Sequence, residues 1–474
     1  MSLKLRDIFT VGAGGMIAQL VTASSMPVVT RLYSPDAYAG WALMMAIVVI
    51  FTSVATFRYE LAIVLPDKHE EAINVMAVCL VATIGMSLMS CMIVYFGKSW
   101  LIGEKFNNEL SAWIWCVPFL ILTMGIYQTF NLWCTRMREF RWYALLQVIL
   151  PLLTIISQIT LALLGFATSS GLILGSLLGQ GIAVGFLTVL IYKKYGTPII
   201  HAFSVQQMKF VSGKYRVYPF YMTPYTLMGT IRDRYIYFLL ASFGIKAEVG
   251  FYNLSTRLVN IPNSLVGSAI RPVFYQKAAS TDLRRLEKTI NDTMKLLAVS
   301  MVPFWILFLF NAEFLFSMIF GAPWRKAGLY ASVLSVPYFF LFLTNWLDRS
   351  FDALGRQRLA FLLELIFSVL LITVLTISML TLKDTFIAIC LQAGVITAYY
   401  LIWLVVLFRI AGMHLKGITD LVLIIVGIGT VWCLLSWMLM VILPPSYSLL
   451  VNIFCATVVT GIYLYKQWDI LKIR

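Results

Sequence analysis

The chain has 474 residues, 61% of them hydrophobic and 12% charged, with a mean hydropathy of +0.88 and a formal net charge of +15. Soluble domains average ~45–50% apolar and ~25% charged residues, so an ordinary water-soluble globule is excluded. Apolar stretches of ~20 residues recur throughout and predict a multi-spanning α-helical membrane protein, whereas a β-barrel would alternate with period two in ~10-residue segments.

The N-terminal "MSLKLRDIFTVGAGG" sets basic residues before an apolar run, as a signal peptide does. The run from Ile8 to Thr30 is too long for a signal h-region and lacks a small-residue cleavage site, so it reads as the first span. Further spans are expected at Tyr38–Phe57, Ala72–Phe96, Leu110–Cys134, Trp142–Phe166 and Gly171–Tyr192. A second series covers Val217–Phe243, Val249–Arg271, Thr293–Phe320, Gly328–Phe351, Leu359–Leu380 and Phe386–Phe408, and Leu421–Leu443 and Tyr447–Tyr465 close the chain. The total is about fourteen transmembrane helices.

Lys and Arg concentrate on alternate connections. With the N-terminus in the cytoplasm, inner connections and both termini outnumber outer ones in basic residues by about three to one. Both termini are therefore expected in the cytoplasm, and the net charge is a topology signal, not a nucleic-acid footprint. Connections are short; the two longest, Lys193–Arg216 and Lys277–Thr289, are both inner. "LPDKHEEAINVM" and "STDLRRLEKTINDTM" read as amphipathic helices lying at the interface. The seven cysteines fall in apolar segments without C-x-x-C spacing, and the three histidines lie in polar connections, so no disulfide framework, metal site or cofactor is expected. Without a G-x-x-x-x-G-K-[ST] loop, ATP is not the direct energy source.

The two halves resemble each other. "LPDKHEEAINVMAVCL" parallels "STDLRRLEKTINDTMKLL", Val117-Pro118-Phe119 parallels Val336-Pro337-Tyr338, and Tyr38-Ala39-Gly40-Trp41 parallels Val249-Gly250-Phe251-Tyr252. This predicts an all-α integral membrane protein with two parallel six-helix lobes, residues 1–195 and 217–410, around a central cavity. Residues 196–216 connect the lobes, and residues 411–474 add two further helices and a tail. Prolines inside spans serve shape or gating. Gly171, Gly175 and Gly179 form a face for close helix packing.

The informative residues are charges inside apolar spans. Arg232, Asp233 and Arg234 lie near the middle of the seventh span, where each charge costs at least ~2.5–3.5 kcal/mol on the most lenient scale. Arg257 lies in the eighth, Asp348 at the inner end of the tenth, Glu364 in the eleventh and Glu60 just after the second. Arg232 and Arg234 project about 160–200° apart, so one narrow contact cannot take both. The alternatives are internal ion pairs or a hydrated cationic cavity, and the excess of arginine on spans seven and eight favours an anionic, phosphate-bearing substrate. Tyr218, Tyr221, Tyr225, Tyr235, Tyr237 and Tyr252 in the same region suit sugar rings as well as a membrane interface.

"TRLYSPDAYAGWAL", "FRYELAIVLP", "RDRYIYFLLASFGIKAEVGFYNLSTRL" and "FGAPWRKAGLYASVLSVPYFF", followed by "FDALGRQRLAF", resemble the oligosaccharide-flippase family of polysaccharide biosynthesis. That family belongs to the multidrug/oligosaccharidyl-lipid/polysaccharide exporter superfamily. The resemblance implies translocation of an undecaprenyl-diphosphate-linked oligosaccharide, such as an O-antigen repeat unit, across a bacterial inner membrane by alternating access. On this reading Arg232, Arg234 and Arg257 bind the diphosphate, while Asp233, Glu60 and Asp348 balance charge or carry a coupling H+ or Na+. From their apolarity alone, the last two helices are expected to provide a groove for the lipid tail, and a polar cavity within one chain makes a monomer sufficient; the expected partners are membrane lipids and polysaccharide polymerase and chain-length proteins. In "IRPVFYQKAA", Arg271 departs from the neutral residue expected there. The alternatives are a multidrug or cation antiporter, for which acids should dominate, and a membrane polymerase or glycosyltransferase, for which the external connections are too short.

Overall fold

In hydrocarbon every backbone N–H and C=O needs a partner within its own segment, and a helix meets that demand locally. The computed structural model describes residues 5–102, 111–265, 283–347, 350–354 and 356–466, and these residues hold helices and turns without a β-strand. Eleven of the described helices are long and apolar enough to cross a membrane, which makes this a multi-pass membrane protein.

The chain groups into two compact units, residues Met1–Leu254 and Ser255–Arg474. The first contains α1 (Leu5–Leu32), α2 (Pro35–Thr52), α3 (His69–Ile102), α4 (Cys116–Arg136), α5 (Phe140–Leu163), α6 (Ser169–Ala202), α7 (Val205–Lys214) and α8 (Thr223–Ser242). α9 (Lys246–Val259) begins in it and ends in the second. The second unit continues with α10 (Leu283–Phe320), α11 (Arg325–Thr344), α12 (Gln357–Thr381), α13 (Thr385–Ile410), α14 (Lys416–Ile442) and α15 (Pro445–Lys466). α1, α8 and α9 are not among the eleven: α8 carries three charges, α9 has only 14 residues, and Gln19, Thr22, Ser24 and Ser25 dilute α1.

Within the first unit α5 packs between α1 and α6, while α2 packs on α4, α6 and α8. The glycine face forms the α5–α6 contact. A Cβ at position 175 would stand 2.8 Å from Gln158 Cα, and one at 179 would stand 2.3 Å from Thr154 Cα. Gly171 instead clears the Phe166 carbonyl and the Tyr33 hydroxyl. Buried polar groups lock this seam: Tyr33 donates to the Gln158 carbonyl at 2.7 Å, Trp41 Nε1 to Ser176 Oγ at 2.9 Å, and Gln158 Nε2 to Ser176 Oγ at 3.2 Å.

Of the two charged segments expected to be separate helices on the membrane surface, the described parts, residues 69–76 and 283–294, are instead continuous with α3 and α10 as their first turns. These helices run 34 and 38 residues without a break. At 1.5 Å per residue they reach roughly 50–57 Å, well beyond the ~30 Å hydrocarbon core. Pro66 precedes the start of α3, and neither 69–76 nor 283–294 holds a Pro or Gly to end the helix; each extension is docked. Asn74 Nδ2 donates to the Ala202 carbonyl and its Oδ1 accepts from the Ser204 N–H, at 2.9 and 3.0 Å. In the second unit Asn291 packs on Gly417, Glu287 accepts from the His414 N–H at 2.8 Å, and Lys295 pairs with Asp420 at 3.4 Å.

Tyr38 and Val249 each occupy the fourth residue of their helices, α2 and α9, and Gly250 admits the Pro35 carbonyl at the start of α2. Val117-Pro118 lies in the first turn of α4, whereas Val336-Pro337 lies midway along α11. In the second unit α10 packs against α11, α14 and α15. Trp346, Leu347, Phe351 and Phe408 fill its core.

Candidate functional site

α8 starts after a π-helical turn, Tyr218–Met222, in which Pro219 removes one N–H donor; Pro224 then occupies the first turn of the α-helix. Ten residues on, Arg232 turns back on its neighbour: its Nη2 and Nε lie 2.8 and 2.9 Å from Asp233 Oδ1. The Arg232 side chain is 13% exposed and that of Asp233 60% exposed, so this pair has one end in the protein and one at its surface. Arg234 projects elsewhere. Its guanidinium lies 5.8 Å from the centre of the Tyr237 ring, one turn further along α8. Tyr237 is buried, accepts from Asn253 Nδ2 at 3.3 Å and meets Tyr252 edge-on at 5.5 Å. A tyrosine face attracts a guanidinium by about 0.5–2 kcal/mol while leaving its N–H groups for another ligand. Arg234 Nε is buried without a hydrogen-bond acceptor among the described residues. Further toward the start of the helix, Tyr221 and Tyr225 are exposed.

Arg257 is half-buried on α9 and belongs to the second unit. Leu258, Val259 and Pro262 line an apolar cavity of about 220 Å³ closed by Trp305, Tyr338 and Phe339. Asp348 and Arg271 lie outside the described residues.

Glu60 sits in a tight turn after α2, where Phe57 and Arg58 adopt left-handed φ values of 49° and 60°. Its carboxylate is 3% exposed, accepts from Thr56 Oγ1 and pairs with Arg58 Nη1 at 3.1 Å. A left-handed non-glycine residue costs about 1–2 kcal/mol, and this ion pair holds the turn against that cost. Arg136, at the end of α4, fastens the same loop through N–H donation to the carbonyls of Ile63, Pro66 and Lys68, at 3.1, 2.7 and 3.3 Å. On α12, Glu364 accepts from Tyr399 at 2.8 Å.

Sequence reasoning missed two Lys-Tyr pairs that each close on a glutamate. Lys194 and Tyr195 donate to Glu139, and Lys214 and Tyr215 donate to Glu71. Burial pushes the Glu139 carboxyl up, but the hydrogen bonds from Lys194 and Tyr195 outweigh it and leave the group below the usual carboxylate range. The Glu71 hydrogen bond raises the Lys214 ammonium above its ordinary value. The Lys-Tyr dipeptides were a usable signal; their glutamate partners, 55 and 143 residues away, were not visible. Among the described residues no group of three or more His, Cys, Asp or Glu side chains is arranged to hold a metal ion.

A family of polysaccharide biosynthesis proteins matches residues 28–328. Among solved structures, a lipid II flippase, MurJ, in an inward closed conformation superimposes with a TM-score of 0.69 at 14% identity, covering 97% of this chain and 99% of that one. An inward-facing multidrug-resistance MATE transporter of the MOP superfamily gives 0.59 at 15% identity, over 87% and 96%. The Vibrio cholerae MATE transporter VcmN gives 0.53 at 12% identity, over 87% and 97%. No curated protein matches. The likeness to these structures shows the fold that they share, and with the family match over well more than half of its length the chain belongs to the polysaccharide biosynthesis protein family.

Proposed function

We propose that this protein is a flippase that moves an undecaprenyl-diphosphate-linked oligosaccharide from the cytoplasmic to the periplasmic leaflet of a bacterial inner membrane by alternating access. The observation that carries the reading is the Arg232-Asp233-Arg234 triplet midway along α8, in a membrane protein of the polysaccharide biosynthesis family. Unaided, a diphosphate and several sugars cannot enter hydrocarbon, because each unpaired polar group costs kilocalories and each charge more. Arg234, cushioned on Tyr237 with a buried Nε, is prepared to receive phosphate oxygens. Arg232, engaged with Asp233, exchanges that carboxylate for the diphosphate and so stays paired in both states, while the released Asp233, whose side chain is 60% exposed, can be solvated. In the second unit Arg257 directly precedes Leu258 and Val259, which line an apolar cavity suited to prenyl carbons, and it is proposed as a further diphosphate ligand. Asp233, Glu60 and Asp348 balance charge or carry a coupling H+ or Na+; Glu60 is buried against Thr56 and Arg58. The basic bias of alternate connections supports cytoplasmic termini. The solved flippase that shares the fold acts on lipid II, a lipid-linked saccharide, which supports the same substrate class here.

The test is reconstitution of the purified protein in liposomes with a fluorescent polyprenyl-diphosphate oligosaccharide in one leaflet. Appearance of the label in the other leaflet, above protein-free liposomes, is expected. A second reading, drug export, is favoured by the MATE fold likeness. It predicts cation efflux and no movement of the oligosaccharide lipid.

A further inference from the structure

α6 extends 34 residues from Ser169, so Lys193 stands roughly 36 Å along its axis, just past a ~30 Å hydrocarbon core. At that level the turn between α4 and α5 approaches α6 and leaves a cavity of about 350 Å³. Its walls differ in character. Leu187, Leu190 and Ile191 make an apolar floor; Trp142 and Lys193 stand at the rim, beside the Glu139, Lys194 and Tyr195 cluster. Glu139 is already satisfied by Lys194 and by the Tyr195 hydroxyl at 2.8 Å, so it brings no free negative charge to the rim. Arg138, Arg141 and Lys193 remain exposed, and among the described residues no carboxylate lies within ion-pairing distance of any of them. Arg138, with a left-handed φ of 58°, lies in the chain between the end of α4 and the cavity residue Glu139, and Arg141 directly precedes the cavity residue Trp142. On the outer face of α6 Phe186, Val189 and Tyr192 are exposed, as expected of a surface turned to lipid tails.

We propose that this cavity is a binding site for an anionic phospholipid of the surrounding leaflet. The headgroup phosphate lies among Arg138, Arg141 and Lys193, and one acyl chain runs over the Leu187–Ile191 floor. Charge complementarity selects the anion, because Lys193 lines the cavity, Arg138 and Arg141 immediately flank its lining residues Glu139 and Trp142 in the chain, and the single acid there is spent. The apolar floor selects a lipid over a soluble phosphate. Trp142 sits at headgroup depth, where an indole has an apolar body and a polar edge to satisfy. Basic pockets between helices at one membrane face suit such headgroups generally. The site is separate from the α8 triplet, so the proposal does not depend on the transported substrate.

The test uses the full-length protein in detergent, delipidated and then titrated with phosphatidylglycerol, phosphatidylcholine or inorganic phosphate, read by native mass spectrometry and thermal unfolding. Phosphatidylglycerol is expected to be retained at least about fivefold better than phosphatidylcholine and to raise the unfolding temperature. Arg141→Glu with Lys193→Glu should lower retention to the phosphatidylcholine level, and Lys193→Gln alone should fall between. The control Lys209→Glu, exposed on α7 away from the cavity, should bind as wild type. Equal retention of the two lipids, equal loss in the Lys209 control, or equal protection by inorganic phosphate would overturn the proposal.

Discussion

The glycine face of α6 permits a prediction whose sign changes along one helix. In Gly179→Ala the new Cβ meets Thr154 Cα at 2.3 Å, Thr154 N at 2.4 Å and the Leu153 carbonyl carbon at 2.8 Å, all backbone atoms of α5. The closest approach is about 1 Å short of ordinary van der Waals contact, and backbone cannot swing aside as a side chain can. α5 must therefore move away from α6, loosening the seam that Gln158 and Ser176 lock. Overpacking of this kind costs about 1–3 kcal/mol, against about 1 kcal/mol regained because Ala favours helix over Gly. Gly181 and Gly185 lie on the same helix with nothing within 4 Å of the added Cβ, so there only the gain remains. Thermal unfolding in detergent should place Gly179→Ala and Gly175→Ala several degrees below wild type, at roughly 2–4 °C per kcal/mol. Gly181→Ala and Gly185→Ala should lie at or slightly above wild type. If all four variants shift alike, the α5–α6 seam is not set by glycine contact and the packing argument fails.

Arg136→Ala removes three carbonyl contacts from the Ile63–Lys68 loop; charge-assisted bonds of this kind contribute about 1.5–3 kcal/mol each when buried and less at an exposed edge. Limited proteolysis should therefore cut the loop faster, with Arg136→Lys intermediate because an ammonium cannot fork to several carbonyls; equal cleavage rates would contradict it. Because Glu139 is held below the usual carboxylate range in the folded protein, its contribution is present above its unfolded pKa and is lost as pH falls through its folded value. The wild type should thus lose unfolding temperature more steeply than Glu139→Gln on acidification below about pH 4.3, and parallel slopes would refute the assignment. Tyr33→Phe deletes one buried hydrogen bond to the Gln158 carbonyl and should cost about 1 kcal/mol in unfolding assays, with no effect on transport.

The architecture was readable because lipid imposes a coarse code: apolar length gives spans, and small residues four apart give a close seam, as Gly175 and Gly179 do. Helix ends were harder to read. The charged openings of α3 and α10 have the composition of surface helices, and only docking by Ala202, Ser204, His414 and Asp420 makes them straight extensions. The candidate site was legible as charge in the wrong solvent, but not as pairing. Nothing in the sequence indicates that Arg232 closes on its own neighbour Asp233, or that Arg234 rests on Tyr237. Likewise Glu60 finds Thr56 and Arg58 through a left-handed turn that no local motif announces. Gln158 was passed over because a single amide in an apolar span carries no period, though it is the centre of the α5–α6 polar seam.

The central claim is that the arginines on α8 and α9 handle a diphosphate, and the most direct measurement is the fate of lipid-linked oligosaccharide in cells that depend on this protein. Arg232, Arg234 and Arg257 would be replaced singly by Lys, Gln and Glu, with membrane expression verified and both surface polysaccharide and intracellular lipid-linked intermediates measured. The expected result is loss of surface display with inward-facing intermediates accumulating in the Gln and Glu variants, and partial retention in the Lys variants. Undiminished display from well-expressed Gln and Glu variants at all three positions would contradict the claim.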